Sequence, residues 1–202
     1  MNATLATRLT PISNTMLRNA VLAIAGSLLV AIAAQVRIPF WPVPMTLQPL
    51  AVLLVGGAFG ARLGASTMGL YAIEGFVGLP VFSGLRAGLF DGKLDYLFPA
   101  PSTGYIFGYI LAAALIGYLA ERGWIASAPR MVLAALIGGA VLYVPGLLWL
   151  ATWYVVTQGL STDVAVSTAI AKGLVPFIPG DIVKAVIAGL SLAGGWSLIK
   201  KS

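Results

Sequence analysis

Six apolar runs divide the chain. The first extends from Leu17 to about Val36 and carries no charge after Arg18. The second, Thr46 to Phe59, is short. The third, Leu63 to about Leu79, has Glu74 inside it. The fourth covers Ser102 to Leu119, and the fifth, Met131 to Val156, is interrupted by Pro145-Gly146. The sixth, from about Pro179 to Ile199, has Asp181 and Lys184 near its start. Roughly 20 apolar residues cross a bilayer as a helix, and in lipid each segment must satisfy its own backbone polar groups. The runs therefore predict six transmembrane helices, at about 17–36, 46–59, 63–79, 102–119, 131–156 and 179–199, in an all-α membrane protein. Met1 to Met16 is polar and predicts no element. The first run also admits a cleaved signal peptide, with Arg8 and Arg18 as its basic region and Ala31-Ile32-Ala33 as a small-x-small site. Since the rest of the chain is itself apolar enough to span, the run is read as a first span.

Composition supports the membrane class. Of 202 residues, 59% are hydrophobic and 9% charged, against about 25% charged in soluble domains; the mean hydropathy is +0.97. Spans and short loops use up the length, so the whole chain, 1–202, is read as one integral membrane domain, with no repeat and no low-complexity segment. Cys and His are both absent, which excludes disulfides, thiol nucleophiles, a His general base and the usual zinc ligands; no metal and no cofactor is expected.

The net charge of +6 could suggest nucleic acid, but the cations follow a membrane topology instead. With the N-terminus inside, Arg8, Arg18, Arg62, Arg122, Arg130, Lys200 and Lys201 fall on the cytoplasmic side. Arg37, Arg86, Lys93 and Lys172 fall outside, and Lys184 lies in a span. This bias favours both termini inside, in a multi-pass protein of the cytoplasmic membrane. The outer loops are the unusual ones. Arg37 to Met45 reads RIPFWPVPM; its prolines fix φ and extend the residues before them, so it should be stiff. Pro80 to Pro101 carries Arg86, Asp91, Lys93 and Asp95 among aromatics. Thr157 to Phe177 holds an apolar stretch, Val164 to Ile170, suited to an interface. Long structured loops on one side suit a lid, or simply join helices.

Ionisable groups inside spans are costly and default to functional hypotheses. Asp181 and Lys184 are three apart and share a helix face. Pro179-Gly180 places Asp181 where free N–H groups and the helix dipole favour a carboxylate. Lysine has no such support and wants an anion. The pair reads either as a self-satisfied cap or as a wall with an acceptor and a cation, suited to a zwitterion or to an acid bearing N–H. Glu74 is either bonded to a neighbouring helix or used in proton coupling. Thr46 and Gln48 open the second span and can bond a polar ligand or another helix. Ala23, Ser27 and Ala31 form a small-xxx-small face for close approach of a helix of this chain or of a partner. No P-loop is present: the nearest string, Gly88 to Leu94, has the wrong spacing and lacks the hydroxyl. Any ATP-driven step belongs to another subunit.

Several motifs then resemble one family. Ile38-Pro39 followed by Val43-Pro44-Met45-Thr46-Leu47-Gln48-Pro49-Leu50-Ala51-Val52-Leu53-Leu54 resembles the signature of the BioY family, the biotin-specific S components of energy-coupling-factor (ECF) transporters. Further matches are Gly64-Ala65, Glu74-Gly75, Gly78-Leu79-Pro80-Val81-Phe82, Thr103-Gly104-Tyr105-Ile106-Phe107-Gly108 and Pro179-Gly180-Asp181-Ile182-Val183-Lys184. Together they cover about Ala23 to Ala188. The resemblance implies a six-helix S-component fold and high-affinity capture of biotin from outside. It also implies delivery inward with a membrane-embedded coupling subunit and ATPase subunits, and no enzymatic activity. Asp181 and Lys184 fall on the family's biotin-contacting Asp and Lys; Lys184 would meet the carboxylate or the ureido oxygen. Thr46, Gln48, Glu74 and Tyr105 are carried as further ligand candidates. Arg86 is proposed by position alone. Ala23, Ser27 and Ala31 fall on the helix face that meets the coupling subunit in such proteins, with Ser27 where alanine is usual. The rival expectations are an S component for a different vitamin and a stand-alone proton-coupled transporter resting on Glu74.

Overall fold

The computed structural model describes residues 4–88 and 100–201; Asp91, Lys93 and Asp95 lie outside the described residues. Each of the six apolar runs falls on helix, with four differences from the expectation.

Ahead of the first run, where no element was expected, lies α1 (Leu5–Leu9). Thr7 N–H donates to Thr4 Oγ1 at 3.3 Å while Thr4 N–H donates to Thr7 Oγ1 at 3.0 Å, a reciprocal cap. Its Ala6 is buried, and Arg8 sits 4.9 Å from the centroid of the Trp196 ring. Five residues are too few to show an apolar period, so the sequence gives no helix signal there. Next come α2 (Thr15–Gln35), capped by the Asn14 side chain, and a two-residue hairpin, β1 (Arg37–Ile38) against β2 (Met45–Thr46), with Arg37 opposite Thr46. The proline-rich stretch is the loop of that hairpin, and its Trp41–Pro42 bond is cis.

After the hairpin, α3 (Gln48–Phe59) leads into α4 (Ala61–Phe76). The free N–H of Ala61 donates to Glu121 Oε1 at 3.1 Å. The third run, expected to reach Leu79, leaves the helix after Phe76. Gly78, at φ 110°, takes a backbone conformation open to glycine, and Pro80 cannot continue a helix. Beyond the undescribed segment are α5 (Thr103–Glu121), α6 (Ala128–Val141) and α7 (Tyr143–Gln158). The fifth run is thus two helices. Pro145 has no N–H and its ring presses on the carbonyl four residues back, that of Val141; the break at Leu142 follows. Then α8 (Thr162–Gly173), which contains the apolar stretch Val164 to Ile170 as a further helix, and a 3₁₀ turn, Val175–Phe177, lead into α9 (Ile178–Lys201).

Among the described residues, four stretches are long and apolar enough to cross a bilayer: Thr15–Gln35, Thr103–Glu121, Ala128–Gln158 and Thr162–Lys200. With 12 residues, α3 is about 18 Å long, shorter than the roughly 30 Å hydrocarbon core, and much of it is buried among the other helices.

At the centre, α5 packs on α3, α4, α6 and α7. It approaches so closely that side chains are excluded. A Cβ at Gly56 of α3 would lie 2.6 Å from Ala113 Cα, and one at Gly108 of α5 would strike the Leu142 carbonyl at the α6–α7 break. Around it, Val52, Met68, Tyr71, Ala112 and Leu150 form one fully or nearly fully buried cluster, and Ile116, Met131, Ala134 and Ala188 a second.

Gly56→Val should therefore destabilise the detergent-solubilised protein by about 1–3 kcal/mol, the usual cost of overpacking, read as a lower melting temperature. Gly69→Ala, with nothing within 4 Å of the added carbon, is the control and should melt like the wild type. Equal melting of both variants would refute the close α3–α5 approach.

Candidate functional site

The proline-rich hairpin, the loop after α4, the start of α7 and the start of α9 meet at one end of the bundle and enclose a narrow cavity of about 60 Å³. Its lining is unusually rich in hydroxyls and phenols for an apolar bundle.

One wall comes from α9. Pro179 and Gly180 open the helix and place Asp181 in its first turn, where the dipole favours a carboxylate. One turn on, Lys184 Nζ donates to Asp181 Oδ1 at 2.7 Å. Lys184 is 7% exposed, so its ammonium depends on that partner. The other carboxylate oxygen, Oδ2, accepts from the Tyr143 hydroxyl, which the Leu142 break delivers to the site. Each carboxylate oxygen thus has one donor and spare lone pairs directed at the surroundings.

The adjoining wall comes from α3 and α4. Gln48 Nε2 donates to the Tyr71 hydroxyl at 2.7 Å, and that hydroxyl donates to the Val81 carbonyl at 3.2 Å. Thr46 Oγ1 donates to Gln48 Oε1 and accepts from the Gln48 N–H, both at 3.2 Å. Tyr105 and Tyr109, four apart on α5, face the same space. Tyr105 donates to the Gly173 carbonyl at 2.8 Å, tying α5 to the end of α8, and its ring meets the Tyr143 ring edge-on at 5.9 Å.

Loops close the site. Phe40 packs on Phe177 with ring centroids 6.2 Å apart, and Trp41 on Trp153 at 6.4 Å; Lys172 Nζ lies 5.2 Å from the Trp41 centroid. Besides Tyr71, the loop after α4 is held by Gln35 at the end of α2. Its amide nitrogen donates to the Phe82 carbonyl at 3.1 Å. Its oxygen accepts from the N–H groups of Gly84 at 3.2 Å and Leu85 at 3.1 Å. Phe82 is seated on Gly75 and meets Tyr71 edge-on at 5.6 Å. Ser83, next along, lines the cavity, and its buried hydroxyl has no hydrogen-bond partner among the described residues.

Of the residues singled out from the sequence, Asp181, Lys184, Thr46, Gln48 and Tyr105 come together in this cavity. Glu74 and Arg86 are not in its lining. Glu74 lies between α2 and α4, where Oε1 accepts from the Ser27 hydroxyl at 3.0 Å and Oε2 is buried without a partner. Arg86 is exposed on a tight turn whose backbone pairs it with Phe82. Ser27 is fully buried and turned to α4 of this chain, so it offers no surface to a second chain; Ala23 and Ala31 stay half-buried beside it. Sequence reasoning missed Tyr71, Tyr109, Tyr143, Ser83, Ser102 and Phe177. The i, i+4 pair of tyrosines on α5 was a legible signal, because a phenol in an apolar helix needs a partner. Tyr143 was hidden by reading α6 and α7 as one helix.

Comparison with known proteins bears on this geometry. The family model described as the BioY family matches residues 3–201. A protein of Rhizobium etli named biotin transporter BioY is 38% identical over 162 residues, covering 77% of this chain and 79% of its own. One of the same name from Thermotoga maritima is 33% identical, covering 80% and 86%. A crystal structure of the S-component for biotin from an ECF-type ABC transporter superposes with a TM-score of 0.69 over 91% of this chain and 93% of that one, at 21% identity; that likeness is one of fold.

Gln35→Ala should free the loop it holds while leaving the bundle folded. Hydrogen exchange at the Gly84 and Leu85 amides should rise at least tenfold, with α4 and α5 protection unchanged. Unaltered exchange at both amides would mean that the loop is held by something other than Gln35.

Proposed function

The chain belongs to the BioY family, and on that premise we propose that it binds biotin in the tyrosine-lined cavity and carries it across the cytoplasmic membrane. It is a transporter, not an enzyme. The observation that carries the ligand assignment is the Asp181–Lys184 pair on the cavity wall. A cyclic urea presents N–H and C=O groups side by side. Asp181, with lone pairs left over from Tyr143 and Lys184, accepts from the N–H; Lys184 donates to the oxygen. Hydrogen bonds to charged groups contribute about 1.5–3 kcal/mol each, and the phenyl and phenol rings of the lining pack against the apolar bicycle and chain.

The path is read from the same arrangement. Reading α2, α3, α4, α5, the α6–α7 pair and α9 as six crossings of one integral membrane domain puts Arg8, Arg18, Arg62, Arg122, Arg130 and Lys200 at the end remote from the cavity. The preference of Lys and Arg for the cytoplasmic side then sets both termini inside and the cavity outside, with the hairpin and the loop after α4 as its lid. Having no P-loop, the chain relies on partners for energy: a membrane-embedded coupling subunit and ATPase subunits. The coupling subunit approaches α2 along the half-open edge at Ala23 and Ala31. Glu74 stands away from the cavity, which leaves the proton-coupled reading without the residue it rested on.

Equilibrium binding of labelled biotin to the detergent-purified protein tests the assignment, beside Asp181→Asn and Lys184→Ala. Each variant should bind at least tenfold more weakly, about 1.4 kcal/mol. Tight binding that survives both changes would move the site elsewhere. No binding by a folded wild type would refute the biotin reading.

A further inference from the structure

The bundle has a second cavity at the end remote from the first. It lies where α1, the ends of α3 and α5, the 3₁₀ turn Trp124–Ala126 and α9 meet, and it holds about 280 Å³. A water molecule takes up about 30 Å³, so the space is far larger than a single-water pocket. Leu5, Ala120, Ile125 and Trp196 make much of the lining apolar, and Arg8 stands on the wall as its cation. None of the residues around it lines the biotin cavity.

Arg8 is arranged to meet an anion. Its guanidinium lies 4.9 Å from the centroid of the Trp196 ring. Cation–π attraction braces it there and leaves the N–H groups at its edge for a bidentate contact with a phosphate. It makes no ion pair among the described residues. Glu121 is the one acidic side chain that the sequence places at this end, and its Oε1 accepts from the Ala61 N–H at 3.1 Å. The lysines and arginines of the same end, from Arg8 to Lys201, outnumber it, so the balance favours an anion. The apolar lining calls for hydrocarbon as well. Beside Arg8, Leu9 is 61% exposed, a surface that suits acyl chains better than water. Tryptophan, with an apolar body and one N–H, belongs at the level of lipid headgroups. Basic pockets between helices on the cytoplasmic side select anionic headgroups.

We propose that the cavity beneath α1 binds an anionic phospholipid of the cytoplasmic leaflet, with its phosphodiester on the Arg8 guanidinium and the start of an acyl chain among Leu5, Ile125 and Trp196. The proposal rests on the topology read above, which sets this end at the cytoplasmic face, and not on the biotin assignment. It also gives α1 a task. A helix of five residues does not stand alone in water; this one packs on α3 and α9, and a lipid held between Arg8 and the bundle adds a further tie.

The test is native mass spectrometry of the detergent-purified full chain, titrated with phosphatidylglycerol and, separately, with phosphatidylcholine of the same acyl chains. The wild type should bind phosphatidylglycerol at least fivefold more tightly. Arg8 is exposed, so its variants are expected to fold. Arg8→Gln should lose the preference. Arg8→Lys, which keeps the charge, should retain most of it. Arg130→Gln removes a cation of the same end that does not line the cavity, and it should behave as the wild type. Equal binding of the two lipids by the wild type, or a preference that survives Arg8→Gln, would overturn the proposal. So would an equal loss in Arg8→Gln and Arg8→Lys, which would trace the effect to the packing of α1. Glycerophosphoglycerol, the headgroup without its chains, should bind at least tenfold more weakly than the lipid; equal binding would make this a site for soluble phosphates and overturn the lipid reading. The topology is tested apart. The chain has no cysteine, so Ser13→Cys, in the exposed turn before α2, should react with a membrane-impermeant maleimide only from the cytoplasmic side. Reaction from outside would overturn the topology and the leaflet proposed, an outcome distinct from failed lipid binding.

Discussion

A carboxylate and an ammonium 2.7 Å apart between apolar helices set conditions on everything around them. Ions taken out of water lose more solvation than their mutual attraction returns unless further hydrogen bonds complete their shells. Here Tyr143 supplies one such bond, and it does so only because Pro145 breaks the α6–α7 rod at Leu142. The break in turn fits because Gly108 lets α5 come up against the Leu142 carbonyl. A proline, a glycine and a tyrosine on two elements thus serve a pair on a third. A buried ion pair is weak evidence of stability; one with unused lone pairs facing a cavity is better explained by what it binds.

The same logic separates the buried polar groups into two sets. Some close the fold on itself: Glu121 on the Ala61 N–H, Ser27 on Glu74, Tyr105 on the Gly173 carbonyl. Each ties one helix or turn to another, as expected where lipid offers no alternative partner. Others face the cavity: Asp181, Lys184, Thr46, Gln48 and Ser83. Tyr71 belongs to both, since its hydroxyl links Gln48 at the cavity to the Val81 carbonyl of the loop. Ligand contact and loop position therefore share a hydrogen-bond chain, which gives ligand binding a direct route to lid order.

How far the sequence could be read follows from the length scale of each signal. Long apolar runs are decided by burial in lipid, and all six fall on helix. The Asp181–Lys184 pair was visible because an ion in a span is rare and an i, i+3 spacing defines a face. Features set by a single contact were not visible. The α6–α7 break lies three residues before the proline that causes it, so Tyr143 looked like a mid-span residue. The α1 cap rests on two threonines without an apolar period behind them. Ser27 reads as one of a small-residue stripe, and its role depends on Glu74 being opposite, 47 residues away. Ser83 and Gln35 are ordinary residues in sequence; only the fold shows that one is held by the other.

The placement of Gln35 also explains why the hairpin and the loop after α4 act at the same site. Gln35 ends α2, and the hairpin begins two residues later at Arg37. One side chain therefore fixes the loop that carries Ser83 at the point where the chain turns into the proline-rich lid. Prolines stiffen that lid along its length, and Phe40 and Trp41 pin it to Phe177 and Trp153. Two lids anchored at one point have fewer independent motions to lose when a ligand is enclosed, and a smaller ordering cost leaves more of the contact energy as affinity. A lid with strong anchors at this end is thus a means of tight capture, while the glycine-mediated contacts of α5 keep the bundle beneath it rigid.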